Sequence, residues 1–100
     1  MKTLKELKDF IKLGQSWHGK LYHHESSYLL HDFGPRFVCL KNSRGIAFKT
    51  STGQSYFDWP KRSELRFLHA DNGDLEGFMS INLESNRRLE YMLCQQGEKR

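Results

Sequence analysis

The chain has 100 residues, of which 37% are hydrophobic and 28% are charged, and a formal net charge of +4 at pH 7. This length supplies one hydrophobic core rather than two, so we expect a single α+β domain over residues 1–100. An aromatic content of 13%, with only two prolines, excludes an intrinsically disordered chain, because disordered chains lack the apolar groups that offset the entropy of ordering.

No segment of the sequence is long and apolar enough to span a membrane. The longest uninterrupted apolar run is Phe37–Leu40, whereas a spanning helix needs about 20 residues. Lys5 and Glu6 interrupt the run that a signal peptide would require. The two cysteines, Cys39 and Cys94, are too few for the disulfide framework of a small secreted domain and are predicted to be buried free thiols. We therefore expect a cytoplasmic protein.

The positive charge is concentrated in the first half of the chain. Residues 1–50 hold nine Lys and Arg against four Asp and Glu, whereas residues 51–100 hold seven against eight. Four of the five histidines also lie in the first half, at His18, His23, His24 and His31. If the two halves also separate in space, the first half presents a basic surface that becomes more positive below about pH 6.5.

An N-terminal helix is predicted from a capping box, in which Thr3 and Glu6 each satisfy a backbone donor of the first turn. Apolar residues then recur at helical spacing, at Leu4, Leu7 and Ile11. Gly14 is expected to end the helix in a left-handed conformation.

From Trp17 onward the apolar period changes to two, which predicts a meander of strands. The expected fold is one N-terminal helix packed on a mainly antiparallel sheet of five to seven strands, with a partly closed small barrel as the alternative. The segment from Arg87 to Gln96 fits either a strand or a terminal helix, and two arginines near a helix N-terminus favour the strand.

Two hairpins carry predicted registers. In the first, Trp17–His24 pairs with Tyr28–Phe33 so that His24 lies opposite Tyr28 and Lys20 lies opposite Asp32. The resulting outward face interleaves basic and aromatic groups, namely His18, Lys20, Tyr22, His24 and Tyr28. In the second, a three-residue loop with a left-handed Gly73 is expected to set Leu65, Phe67 and His69 opposite Met79, Gly77 and Leu75.

The sequence contains none of the common catalytic or nucleotide-binding motifs. Histidine spacing fits no standard metal site, so we expect neither a metal nor a cofactor. A metal-independent ribonuclease stays open as an alternative, because such an enzyme needs only a base, an acid and a cation. The available sets are His24 with Glu25, and His69 with Glu76 and Arg66.

The outward face of the first hairpin favours a non-catalytic binding protein, since aromatic groups stack on bases while cations hold phosphates. Its expected partner is nucleic acid or a protein that handles nucleic acid. The predicted binding residues are Lys20, Tyr22, His24, Tyr28, Lys61 and Arg62. The other non-enzymatic interpretation is a protein-binding regulator or inhibitor, of the kind that mobile elements carry, with no nucleic-acid contact.

Overall fold

A computed structural model describes residues 3–94 of the chain. Its first element is a short helix, α1, at Leu4–Phe10. The predicted capping box is present: the Glu6 N–H donates to Thr3 Oγ1 over 3.2 Å, and the Thr3 N–H donates to Glu6 Oε1 over 3.1 Å. The helix ends at Ile11 in extended backbone. Gly14, with φ +89°, therefore lies in the following turn and is not the helix cap.

Seven strands follow: β1 Ser16–His23, β2 Tyr28–Lys41, β3 Gly45–Thr50, β4 Gly53–Asp58, β5 Leu65–His69, β6 Leu75–Asn82 and β7 Arg87–Leu93. They form one antiparallel sheet in the order β4-β3-β2-β1-β7-β6-β5. The segment from Arg87 to Gln96 fitted either a strand or a helix, and β7 shows that Arg87–Leu93 is a strand. Residues 95 and 96 lie outside the described residues.

The sheet is strongly curled. Strands β3 and β7 stand three positions apart, which is about 14 Å in a flat sheet. Nevertheless the ring of Phe48 on β3 stacks on that of Tyr91 on β7, with centroids 5.0 Å apart. Similarly, Phe57 on β4 lies 6.1 Å from Phe78 on β6. We call the concave face that encloses these rings the inner face, and the convex face the outer face.

The core fills the inner face, and α1 packs there too. Trp17 is the largest fully buried side chain and contacts the ring of Phe78 edge-on at 5.6 Å. The helix adds Leu7, and Ile11 follows at the end of the helix; neither has exposed surface. Gly19 leaves room for the Tyr91 ring, since a Cβ at Gly19 would lie 2.5 Å from one of its carbons.

The first hairpin follows its predicted register only in the middle. Lys20 lies opposite Asp32 as predicted, but His23, not His24, lies opposite Tyr28. The reason is an irregularity between Leu21 and Tyr22, where Leu30 of β2 has no partner on β1 and the pairing shifts by one residue. Since side chains alternate between faces, Tyr28 shares the side of His23 and is absent from the outer face.

The β5–β6 hairpin also differs from prediction. Gly73 adopts the expected left-handed conformation, with φ +92°, and its N–H donates to the Ala70 carbonyl. However, an irregularity between Leu68 and His69 moves the ladder by one residue, so that Phe67 lies opposite Phe78. The predicted alignment of Leu65 and Phe67 with Met79 and Gly77 is therefore wrong. The observed register places both phenylalanines on the inner face.

The fold is α+β in the coarse sense, with one short helix and a strand-dominated sheet that stays open. Within residues 3–94, β4 and β5 form its two edges and do not pair with each other, which excludes the closed form of the barrel alternative. Cys39 and Cys94 are free thiols, but Cys39 is exposed and Cys94 half-buried, so the prediction that both are buried is wrong. No helix in the described part of the chain is long and apolar enough to cross a bilayer.

Candidate binding surface

Three chain connections meet at one end of the sheet, which we call the turn end. They are the β1–β2 turn (24–27), the β6–β7 turn (83–86) and the segment that leads into β5 (61–64). The two turns lie side by side because β1 and β7 are neighbours, and the third segment joins them because β5 pairs with β6. Connections held by a rigid sheet are the usual position of binding residues.

A cleft of about 350 Å³ lies on the outer face at this end, and we call it the turn-end cleft. This volume falls in the lower part of the range of small-molecule sites, about 300–1,000 Å³. The lining comprises two cations, two carboxylates, two aliphatic side chains and three neutral polar groups: Lys61 and Arg66, Glu64 and Glu84, Ile81 and Leu83, and His24, Ser63 and Asn82. The cleft therefore combines apolar surface with charges of both signs.

Asn86 fixes the position of His24 at the cleft. The His24 N–H donates to the Asn86 carbonyl over 2.9 Å, and the Glu25 N–H donates to Asn86 Oδ1 over 3.1 Å. Asn86 also places its Nδ2 3.0 Å from Nε2 of His23. It adopts φ +56°, a left-handed conformation that asparagine tolerates better than most residues. These bonds join the two turns into one unit.

Arg88 supports the same unit from β7. Its side chain is 13% exposed, and its Nε donates to Glu90 Oε2 over 2.8 Å. Nη1 donates to the His24 carbonyl and Nη2 to Ser27 Oγ, both over 3.2 Å. The guanidinium carbon lies 4.7 Å from the centroid of the Tyr22 ring. Arg88 thus uses its donors within the protein and positions the turn and the tyrosine around it.

The cations of the cleft, in contrast, keep donors available for a ligand. The Glu64 N–H donates to the Lys61 carbonyl over 2.9 Å, which folds the segment before β5 into a turn. Arg66 Nη1 donates to the Ser63 carbonyl over 3.0 Å and to the Leu65 carbonyl over 2.9 Å. Within residues 3–94, Nε and Nη2 of Arg66 and Nζ of Lys61 make no hydrogen bond or ion pair. These groups are placed to bind an anion.

A second, smaller concavity of about 210 Å³ continues the outer face along β1. It is lined by His18, Lys20, Tyr22, Glu90 and Met92. Lys20 lies between two carboxylates, since the registers place it opposite Asp32 on β2 and Glu90 on β7. It forms no ion pair within 4.0 Å in the described part of the chain. Its ammonium therefore stays accessible, although its charge is partly compensated.

The His18–Asp32 pair borders this concavity. His18 Nε2 lies 2.6 Å from Asp32 Oδ1, and the Gly34 N–H donates to the same oxygen over 2.9 Å. The hydrogen bond from His18 lowers the pKa of Asp32 below its ordinary value of 3.8, and the Gly34 N–H adds to this effect. Asp32 therefore stays ionised at neutral pH and reduces the positive potential around Lys20.

Four of the six predicted binding residues lie on the outer face near one another. Lys20 and Tyr22 line the smaller concavity, while His24 and Lys61 line the turn-end cleft. His24 and Lys61 are far apart in the sequence, and their convergence results from the pairing of β1 with β7 and of β6 with β5.

The other two predicted residues lie elsewhere. Tyr28 is 69% exposed but belongs to the opposite side of the hairpin, as its register with His23 requires. Arg62 borders a separate cleft next to α1, together with Leu65 and Phe67 of the inner face. The basic and aromatic face predicted for the first hairpin therefore loses Tyr28 and keeps His18, Lys20, Tyr22 and His24.

Sequence reasoning missed two structural contributors to this surface, Arg88 and Asn86. Side chains alternate between the two faces along β7, so Arg88, Glu90 and Met92 share one face. The strand prediction for this segment could therefore have placed Arg88 on the face of Glu90. What the sequence does not reveal is that β7 pairs with β1, which brings Arg88 beside Tyr22. Arg66 appeared only as a candidate ribonuclease cation, not as part of a binding site with His24.

The candidate ribonuclease set around His69 is divided in space. His69 and Glu76 border a shallow concavity at the opposite end of the sheet, whereas Arg66 lines the turn-end cleft. The other candidate ribonuclease set paired His24 with Glu25. The carboxylates that line the cleft with His24 are instead those of Glu64 and Glu84. Among residues 3–94, no three His, Cys, Asp or Glu side chains cluster in a way that could hold a metal ion.

Comparison with protein-family models, with curated protein sequences and with solved structures gave no match.

Proposed function

We propose that the chain is a non-catalytic binding protein that holds single-stranded nucleic acid on the outer face, from the turn-end cleft along β1. The observation that carries this proposal is the convergence of His24, Lys61 and Arg66 in one cleft, next to Lys20 and Tyr22. Lys61 and Arg66 supply unpaired donors for phosphate, and Ile81 and Leu83 supply apolar surface for a base.

The length of the surface suits a short single strand. From His18 to His24, β1 extends over roughly 20 Å at about 3.3 Å per residue. A single strand offers unstacked bases to shallow concavities of this kind, whereas a duplex hides their edges. Tyr22, with the Arg88 guanidinium carbon 4.7 Å from its ring centroid, provides an aromatic ring on this path.

Charge balance limits the affinity of this interface. The surface carries four cationic side chains and four carboxylates: Lys20, Lys61, Arg66 and Arg88, and Asp32, Glu64, Glu84 and Glu90. Among these four cations, Arg88 pairs with Glu90, whereas Lys20, Lys61 and Arg66 form no ion pair within residues 3–94. With three phosphate contacts, log Kd should rise with log salt at a slope of about 2, since single strands give about 0.7 per contact.

The test is fluorescence anisotropy with a labelled eight-nucleotide single strand of RNA or DNA, and with a duplex, at several salt concentrations. The double variant K61Q/R66Q should weaken single-strand binding by about tenfold or more and reduce the salt slope by about 1.4. A matched control, R44Q/K49Q, removes the same charges from exposed positions around β3 and should leave the affinity within twofold. Equal loss in both variants, or no binding by the native chain, would contradict the proposal. The RNA should also stay intact, because cleavage would support the ribonuclease alternative instead.

A protein partner is the second candidate function, and the free edge of β2 favours it. Strand β3 pairs only with Val38, Leu40 and Lys41, so residues 28–37 have β1 on one side and no described strand on the other. This part of β2 exposes apolar side chains, at Tyr28, Leu29, Leu30 and Phe37. Two ladder irregularities and Pro35 interrupt this edge, so a partner would contact the exposed side chains rather than add a strand to the sheet.

A pull-down from the native cell, with and without nuclease, separates the two candidates. If a protein is captured after nuclease treatment, and a Tyr28→Ser/Leu30→Gln variant no longer captures it while K61Q/R66Q still does, the β2 edge is the functional surface. Capture that disappears with nuclease supports the nucleic-acid interface.

A further inference from the structure

Two carboxylates line a cleft that is proposed to bind a polyanion. Glu64 is half-buried and Glu84 is exposed, and within residues 3–94 neither side chain forms a hydrogen bond or an ion pair. A carboxylate repels phosphate and lowers the positive potential of Lys61 and Arg66. Their position is therefore unfavourable unless the ligand also presents hydrogen-bond donors to them.

The chemistry of a carboxylate restricts which base it recognises. An ionised carboxylate is acceptor-only, with two oxygens that can each take an N–H. Among the common bases, only guanine presents two adjacent N–H donors, N1–H and the N2 amino group, on its Watson–Crick edge. Adenine and cytosine place an acceptor nitrogen beside their amino group, and uracil or thymine flanks N3–H with two carbonyls. In a single strand this edge is unpaired and accessible.

The rest of the lining fits a nucleotide of this kind. Ile81 and Leu83 form the apolar part of the cleft, and Leu83 is 76% exposed, so its surface is available to a base. Lys61 and Arg66 lie on the same cleft and suit the adjacent phosphate. The volume of about 350 Å³ is in the range of sites that enclose one small ligand.

We propose that the turn-end cleft selects a guanine nucleotide of the bound strand, with Glu64 or Glu84 accepting the N1–H and N2–H donors while Lys61 and Arg66 hold the phosphate. This inference rests on the proposed nucleic-acid function and adds base preference to it.

The test compares labelled octamers of uridine that carry one central guanosine, inosine, adenosine or cytidine, or no replacement. The native chain should bind the guanosine octamer about tenfold or more tightly than the all-uridine octamer. Inosine lacks the N2 amino group and should lose most of that preference. The double variant E64Q/E84Q should lose the preference for guanosine while its affinity for the all-uridine octamer stays the same or rises, because the repulsion of phosphate is removed.

The controls separate this inference from the proposed function. E76Q, at the opposite end of the sheet, removes one carboxylate and should keep the guanosine preference. Should the double variant fail to fold, as judged by its thermal unfolding, the comparison of guanosine with inosine on the native chain still decides. Equal affinity for all octamers overturns the guanine inference alone, whereas absence of binding to every octamer overturns the proposed function with it.

Discussion

Arg88 is expected to be the most important polar side chain of the turn end, and replacing it with methionine isolates its guanidinium. Methionine keeps most of the apolar stem, so the loss comes from the hydrogen bonds to Glu90, to the carbonyl and ring of His24 and to Ser27, and from the contact with Tyr22. Hydrogen bonds to charged groups contribute about 1.5–3 kcal/mol each, but they are not additive, and water replaces part of them at a site that is 13% exposed. We expect R88M to lower the free energy of unfolding by about 3 kcal/mol.

Urea denaturation followed by tryptophan fluorescence measures this loss, since Trp17 lies in the core. Arg87 is the matched control, because its Nη1 donates only to carbonyls of its own turn, at Ser85 and Asn86, and the side chain is exposed. R87M should change the free energy of unfolding by about 0.5 kcal/mol or less. Equal effects of R88M and R87M would refute the view that Arg88 holds the two turns together.

The pH dependence and the packing of the sheet give tests that need no ligand. Burial raises the pKa of Tyr91 from 10.0 to about 12, so the native fold favours the neutral phenol. The contribution of this phenol to the free energy of unfolding should be fully present below pH 10 and should fall by about 2–3 kcal/mol towards pH 12. The variant Y91F should abolish this fall, as measured by urea titrations at pH 9 and 11. The pKa of Asp32 is lowered below 3.8, chiefly by the hydrogen bond from His18, so its contribution is present above pH 4 and lost on further acidification. The melting temperature of D32N should therefore fall less between pH 6 and pH 3 than that of the native chain, and identical slopes would show that the pair contributes nothing. G19A places a Cβ 2.5 Å from the Tyr91 ring and should destabilise the fold by about 1–3 kcal/mol, an effect that an unchanged urea midpoint would rule out.

Local signals in the sequence predicted the elements well. The capping box of α1 and the left-handed Gly73 are each decided by a few neighbouring residues, and both are present. The register errors came from ladder irregularities in the β1–β2 and β5–β6 hairpins, each of which leaves one residue without a partner and shifts the alternation beyond it. Tyr28 was assigned to the wrong face for this reason.

The candidate site could be predicted only in part, because it depends on pairing between distant strands. His24 and Lys61 were selected for their residue types, and the cleft that joins them arises from the adjacency of β1, β7, β6 and β5. No local pattern indicates that the last strand returns beside the first. Consequently the sequence alone did not indicate that Arg88, Glu64 and Glu84 belong to this site.

The central claim is that the turn end of the outer face binds single-stranded nucleic acid, and an NMR titration tests it most directly. Backbone amide shifts of the ¹⁵N-labelled chain are followed while an unlabelled octamer is added. The largest changes should occur in residues 18–27, 61–66 and 83–88, and they should weaken with added salt. Changes that cluster on α1 or along the free edge of β2, or no changes at any amide, would contradict it.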